Sequence, residues 1–290
     1  MAKWDDIYCS LVEQILTEGR RVSNRTGVDT IKLPFAHFTL NVGEEFPILS
    51  VKQLFLRQAV LEMLWIYQAQ SNDVRWLQER DVHIWDKWEI DENGEWKDEK
   101  TGRVLKKFDP SMAHTIGTAY GYVVRKYRLI DRLIDSLKND PEDRRRVVSL
   151  WQDAELDTAV LPSCVWSSEW DVTDGKLNVL VHQRSCDTGL GLPFNVTQYA
   201  VLMSMIAQVC GLKVGRLDWS IKDAHIYVDQ VEQMKELLRR WKETEPLPAP
   251  KLWLNPEITD FYAFDSSRDI KDVRLEGYSH RGKLAMPLTQ

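Results

Sequence analysis

A candidate nucleophile, a cation, a carboxylate and an amide crowd the stretch from Leu161 to Asn195. Cys164 follows Leu161-Pro162-Ser163 in a short polar turn. A strand-like run comes next, ending in Gln183, Arg184 and Ser185, and a glycine-rich loop then closes at Asn195. The order reads as strand, turn, strand, loop. A single cysteine is ordinarily inert core, because the thiol packs as a small hydrophobe and only the thiolate attacks electrophiles. A neighbouring guanidinium favours the thiolate and changes that balance. Arg184 is in position to do so if the strand after Cys164 hairpins back.

Two further features bear on chemistry. The run LFLRQAVLEMLWIYQ, residues 54–68, is apolar on most sides and predicts a buried helix, yet Glu62 lies inside it. A carboxylate there is costly unless partnered, so it either belongs to a structural pair or holds a proton for chemistry. The triple Arg144-Arg145-Arg146 precedes a strand-like VVSLW. Such a run is either a solvated edge or a set of planar forks suited to phosphate, and the pattern does not choose.

The elements that must position these groups are legible in outline. Ile7, Leu11 and Ile15 form one stripe of an opening helix over residues 4–18 that stops at Gly19. Polar RRVSNRTGVDT puts Arg25 on an exposed loop, and AHFTLNV alternates as a half-buried strand does. Residues 122–138 predict one helix halting at Asn139-Asp140-Pro141, and Thr197 is a candidate cap for a helix that ends at Gly211. LDWSI and AHIYV read as strands, followed by a helix over about 229–242 and an extended PLPAP. Charged residues 89–109, with an Asn93-Gly94 turn signal, read as a surface insertion, a hairpin carrying little chemistry. With no repeat and no long linker, one α+β domain over residues 1–290 is expected.

Composition excludes several classes of function. Hydrophobic content of 43% with twelve tryptophans is enough for a sizeable core. A net charge of -6 argues against a nucleic-acid coating surface. Cys9, Cys164, Cys186 and Cys210 show no CxxC pair and no metal-like spacing with histidine, so no metal is expected and reduced thiols fit best. The N-terminus carries acids where a signal peptide is basic and then apolar, and no apolar run approaches a membrane span; a soluble cytoplasmic protein without a membrane partner is the expectation.

Taken together and in order, RTG at 25–27, HIWDKW at 83–88, DPEDRRR at 140–146, LPSC at 161–164, QRSCD at 183–187, LGLPFN at 190–195 and DAHIY at 223–227 resemble the thymidylate synthase family. The resemblance runs from about Lys3 to the end, its chief length difference being the insertion at about residues 89–116. It implies a large mixed β-sheet covered by helices, with the sheets of two subunits back to back in a homodimer. The implied reaction is reductive methylation of dUMP to dTMP, with 5,10-methylenetetrahydrofolate as cosubstrate for both the one-carbon unit and the hydride. Cys164 matches the cysteine that adds to C6 of the uracil, and Asn195 the amide that pairs with N3-H and O4. Glu62 matches a buried glutamate that organises proton transfer at O4, and Tyr120 in GTAYG a tyrosine implicated in removing the C5 proton.

By the same resemblance Arg25, Arg184 and Ser185 meet the phosphate, joined by Arg144 and Arg145 from the partner subunit, while His225 and Tyr227 hold the deoxyribose. Trp85, Trp88, Leu190 and Gly191 match the folate slot, and Lys52 a residue that attracts the glutamate tail. Asp187 matches a carboxylate on the pterin ring and is counted with the nucleotide site as well. Three positions depart from the family pattern: Val165 where histidine is usual, Thr188-Gly189 where a bulky apolar pair is typical, and a terminus at Gln290 where an apolar residue commonly closes the site. A dUMP hydroxymethylase, in which water captures the methylene group, is the alternative, and Trp85 and Asn195 argue against it. A regulatory nucleic-acid-binding protein on the same fold is a second alternative, disfavoured by the acidic balance.

Overall fold

The computed structural model describes residues 2–288, so Gln290 lies outside the described residues. In chain order the elements are α1 (Lys3–Glu18), β1 (Arg20–Val22), β2 (Thr30–Asn41), α2 (Leu56–Met63), α3 (Arg75–Gln78), β3 (Glu95–Lys97), β4 (Val104–Lys107), α4 (Gly121–Tyr127) and α5 (Leu129–Asn139). Then follow β5 (Val147–Ser149), β6 (Val165–Thr173), β7 (Lys176–Gln183), β8 (Cys186–Asp187), α6 (Gly191–Val209), β9 (Lys213–Tyr227), α7 (Val231–Glu243), β10 (Lys251–Leu254) and β11 (Val273–Glu276).

Seven strands form one mixed sheet in the order β1-β2-β9-β7-β6-β5, with β8 also pairing to β9. β7 and β9 are parallel and the other neighbours on that path antiparallel. A parallel pair needs a crossover, and α6 supplies it. That helix is apolar all round and almost wholly buried, which is the signature of a central helix rather than a surface one. One face of the sheet (Val179 and Val181 of β7, Leu217, Trp219 and Ile221 of β9) is buried in the same core as α6. The opposite face carries Phe35, Trp166 and Val147, which are 57%, 37% and 54% exposed. No helix among the described residues is long and apolar enough to cross a membrane.

Four local expectations are corrected. The run 54–68 begins as α2 but continues from Leu64 to Gln68 as a π turn. The helix over 122–138 is two helices, broken at Arg128, which adopts φ 51°. LDWSI and AHIYV are one strand, β9, whose extended path is interrupted at Asp223 by φ 64°. α6 starts at Gly191, not after Thr197, whose hydroxyl is buried and donates to the Pro47 carbonyl at 2.8 Å. Asn195 is therefore not the end of a loop but part of the first turns of a helix. The charged 89–109 segment does form a hairpin, β3–β4, although its chain reversal lies at residues 98–103.

Candidate active site

Cys164 sits immediately ahead of β6, and the β6–β7 hairpin returns the chain to it. Asp174 and Gly175, at φ 51° and 69°, make the tight turn, with two left-handed residues suiting the twist of a hairpin. The register then pairs Val165 with Gln183. Arg184 consequently lies beside the cysteine: its N–H donates to the Cys164 carbonyl at 2.9 Å. The guanidinium donates to the carbonyls of Ser163 at 3.0 Å and Pro162 at 2.6 Å, and its Nη2 stands 3.8 Å from Cys164 Sγ. One cation thus both folds the loop around the thiol and approaches its sulfur. Arg184 pulls the thiol toward the thiolate as expected, but it does not set the balance. Burial pushes the Cys164 thiol up, with Arg184 and then Arg25 pulling it the other way without prevailing.

Tyr120 contributes from the far side. Its backbone takes φ 46°, where a non-glycine residue is strained, and the following Gly121 passes so close to Ser71 that a Cβ there would lie 2.0 Å from the Ser71 carbonyl. Crowding by residue 71 and the start of α4 immediately after it hold the phenol in place. Its oxygen accepts the Cys164 N–H at 3.2 Å, and burial raises its pKa far above the ordinary value.

Glu62, on α2 just before the π turn, faces the same cavity. Its Oε1 accepts from Trp85 Nε1 at 2.9 Å, and its Oε2 accepts from the Gln198 amide. Burial pushes its carboxyl up to about 7, those two hydrogen bonds opposing the shift. From Gln198 a line of amides runs across the site. Asn195 Nδ2 donates to Gln198 Oε1 at 3.1 Å, Gln183 Nε2 donates to Asn195 Oδ1 at 3.2 Å, and Trp219 Nε1 donates to Gln183 Oε1 at 3.0 Å. An indole can only donate, so the Trp219 end of this line dictates the direction of every amide from Gln183 to Gln198. Asn195 is left with its carbonyl and amino group each holding one partner, and with capacity for one more bond on each. It lines the cavity, so a donor and an acceptor stand side by side there.

The cavity has a volume of about 1030 Å³. At its polar end Arg25, Arg184, Ser185, His225 and Tyr227 line the wall. His225 is fixed by Asp223, Nδ1 to Oδ1 at 3.0 Å, and Asp223 in turn is paired with Lys32 at 2.5 Å. Arg144 and Arg145 are not among the lining residues; Arg145 is exposed and paired with Asp143 at 2.7 Å. Arg146, the third of the run, is buried, donating to Ser136 Oγ at 2.9 Å and the Asp143 carbonyl at 2.7 Å, and so ties down the end of α5.

The other end is flat and apolar. Trp85 and Trp88 meet edge to face with centroids 5.5 Å apart, and Leu190, Gly191, Phe194 and Leu161 continue the wall. Trp96 of β3 joins them, packed beside Trp88 and Val160 and anchored by its Nε1 to the Lys87 carbonyl at 2.9 Å. The hairpin read as a mere surface insertion therefore supplies part of the slot. Asp187 lines the cavity from β8, its Oδ1 accepting the N–H groups of Gly189 at 2.9 Å and Leu190 at 3.1 Å. Lys52 is not a lining residue: it is buried and donates to the Gly189 carbonyl at 2.6 Å, and burial lowers its pKa to about 8. From the C-terminal segment Met286 and Leu288 also reach the cavity.

Gln198, Trp96, Met286 and Phe194 escaped the sequence reading. Only Gln198 carried a local signal, since it lies one helical turn after Asn195 and so shares its face. Among the described residues no group of three or more His, Cys, Asp or Glu side chains could hold a metal ion.

A thiol under a guanidinium, a carboxyl that holds its proton to near neutrality, an amide with fixed polarity, a basic end and an aromatic end can bind a phosphorylated heterocycle beside a second flat molecule and add a thiol to it. Comparisons with known proteins find relatives that match along the whole chain. A curated relative from Clostridium beijerinckii, a thymidylate synthase, is 44% identical over 289 residues, covering the whole of both chains. Thymidylate synthase 1 of Bacillus subtilis is 37% identical over 304 aligned positions, covering 98% of each chain. Among solved structures, the thermostable thymidylate synthase A from Bacillus subtilis superposes with a TM-score of 0.82 at 35% identity, with 99% of each chain covered. The thymidylate synthase family model matches residues 6–290, and the chain belongs to that family.

Proposed function

We propose that the chain methylates dUMP to dTMP, with Cys164 as nucleophile and 5,10-methylenetetrahydrofolate as cosubstrate. The observation that carries this reading is the line of amides from Trp219 to Glu62, which leaves Asn195 presenting one donor and one acceptor to the cavity. Uracil offers the complementary pair at O4 and N3-H, whereas cytosine inverts it. Cys164 Sγ adds to C6, shifting the ring electrons toward O4 and making C5 nucleophilic; Arg184, 3.8 Å away, favours the thiolate that does so. Dianionic phosphate neutralises the guanidiniums of Arg25 and Arg184, and Ser185 adds a hydroxyl beside them. Glu62, at about 7, gives and takes a proton near O4 at the pH of a cell. Tyr120, hydrogen-bonded to the Cys164 backbone, serves the C5 proton, and His225 with Tyr227 holds the sugar hydroxyl.

Methylenetetrahydrofolate supplies the one-carbon unit and the hydride when bound. Trp85, Trp88, Trp96, Leu190 and Gly191 stack along its flat rings, and the remaining acceptor capacity of Asp187 takes a ring N–H. Met286 and Leu288 close the apolar end against water, which favours hydride capture over hydroxylation. Lys52, turned into the protein, acts on this slot through the Gly189 loop rather than by touching the glutamate tail. The whole chain, residues 1–290, works as one domain, with the segment at about 89–116 as a functional insertion. Two copies pair through the exposed sheet face that bears Phe35, Trp166 and Val147, and Arg144 and Arg145 reach the partner's phosphate site; their absence from the cavity of their own chain supports that assignment.

Incubation with dUMP and methylenetetrahydrofolate, followed by product identification, tests the reading. The expected products are dTMP and dihydrofolate, whereas hydroxymethyl-dUMP with tetrahydrofolate would overturn it. Cys164→Ser is expected to abolish turnover while dUMP binding stays within a few fold by calorimetry.

A further inference from the structure

Gln230 lies between β9 and α7, completely buried, and its amide bridges two parts of the site that are far apart in sequence. Nε2 donates to Asp187 Oδ2 at 3.2 Å and to the carbonyl of Pro287 at 3.1 Å. Both partners are acceptors, so the orientation of this amide is unambiguous: turned over, it would set oxygen against two oxygens. Oε1 is then left buried without a hydrogen-bond partner, a cost the fold accepts. It points at Gly189. A Cβ on residue 189 would lie 2.6 Å from Oε1 and 3.1 Å from the sulfur of Met286.

The bulky pair expected before Leu190 is Thr188-Gly189 in this chain, and the missing side chain is the space that Gln230 and Met286 fill. The loop itself is pinned from below by Lys52 on the Gly189 carbonyl and by Tyr8, whose hydroxyl donates to the Thr188 carbonyl at 2.8 Å. The C-terminal segment is strapped alongside by Gln53 N–H to the Gly282 carbonyl at 2.9 Å and Arg281 N–H to the Ser50 carbonyl at 2.8 Å. Beyond that strap, its last polar tie among the described residues to Asp187 is through Gln230.

We propose that Gln230 is a positioning residue that couples seating of the C-terminal segment, with Met286 and Leu288, to the hydrogen-bonding state of Asp187, and that Gly189 is the gap that makes this coupling sterically allowed. The inference rests on the reading of Asp187 as a cosubstrate carboxylate. With the segment seated, the Pro287 carbonyl and Asp187 Oδ2 share one donor group and the carboxylate is held in a single rotamer. With the segment lifted, Gln230 loses one of its two acceptors and with it the hold that keeps its amide on Asp187 Oδ2, leaving that oxygen free to turn while Oδ1 stays on the Gly189 and Leu190 N–H groups. Coupling of this kind is reciprocal: a ligand on Asp187 favours the seated segment as much as the seated segment favours the ligand.

Gln230→Met keeps length and removes both donors, and Gly189→Ala keeps Gln230 and displaces it. Each is expected to raise KM for methylenetetrahydrofolate about tenfold, the scale of a lost hydrogen bond to a charged group, with KM for dUMP within twofold. Each should also open Met286–Leu288 to carboxypeptidase several times faster in the protein without ligands. In a chain ending at Ala285, Gln230→Met should add nothing further to KM, because its partner is already gone. Full multiplication of the two effects, or unchanged KM and unchanged carboxypeptidase release in Gln230→Met, would overturn the proposal. Failure of the wild type to form dTMP would sink the cosubstrate reading instead, and the carboxypeptidase comparison, made without ligand, would still decide the coupling of Gln230 to the segment.

Discussion

Replacing Glu62 by glutamine separates a proton-holding carboxyl from a structural one. Burial holds this carboxyl at about 7, against an ordinary 4.5, despite hydrogen bonds from Trp85 and Gln198. That makes ionisation in the folded chain costlier than in the unfolded chain by on the order of 3 kcal/mol. Below pH 4.5 both states carry the proton and the group contributes no pH dependence. Between 4.5 and 7 the unfolded chain ionises while the folded chain does not, so stability falls as pH rises, and above 7 the loss is complete. Glu62→Gln has no such titration. Its stability relative to wild type is therefore expected to climb by on the order of 3 kcal/mol between pH 4.5 and 8. Urea unfolding at steps across that range reads the change as a shift of midpoint at constant slope. Taking the difference between the two proteins cancels every other titrating group, including the buried Asp5, whose carboxyl is also raised by burial. Turnover of the variant at pH 7 is expected to fall by ~10²-fold or more, the scale of a lost general acid or base. A stability difference that stays flat from pH 4.5 to 8 would refute the assignment.

Trp96→Ala removes the hairpin's contribution to the slot, so KM for methylenetetrahydrofolate should rise about tenfold while KM for dUMP holds, alongside a loss of roughly 3 kcal/mol in urea unfolding from the emptied satellite core. Unchanged steady-state KM for the cosubstrate would remove Trp96 from the binding wall. Mixing inactive Arg144→Ala with inactive Cys164→Ser should restore part of the activity, because one of the two sites in a mixed dimer then carries both an intact thiol and intact arginines. No recovery, with subunit exchange shown by native mass spectrometry, would mean that the arginines do not act across the dimer.

What was legible in the sequence was whatever a short window encodes. The strand-like run after Cys164 and its end at Gln183-Arg184 were legible, the hairpin that returns Arg184 to Cys164 being only a condition there that the β6–β7 pairing meets, and α1 follows from a stripe that ends at a glycine. Boundaries failed where the chain breaks its rules without the usual residue. Arg128 ends α4 in the left-handed region with no glycine to announce it. α6 begins at Gly191 with no side-chain cap at Leu190, and Pro193 inside its first turn is permitted because the N–H it lacks has no helical partner there. The bonds that give the site its logic are longer range still. Gln198 reaches Glu62 across 136 positions and Trp219 reaches Gln183 across 36, so no pattern of neighbours contains them. They also bear on Val165, the residue of the central stretch with least apparent purpose. It is buried at the head of β6, beside Gln183, and touches the cavity with an apolar surface. A histidine there would have a hydrogen-bonding task only if Asn195 and Glu62 were left apart. In this chain Gln198 spans them directly, its oxygen to Asn195 and its nitrogen to Glu62, so the polar connection is complete without residue 165 and an apolar side chain leaves no buried polar atom unpaired.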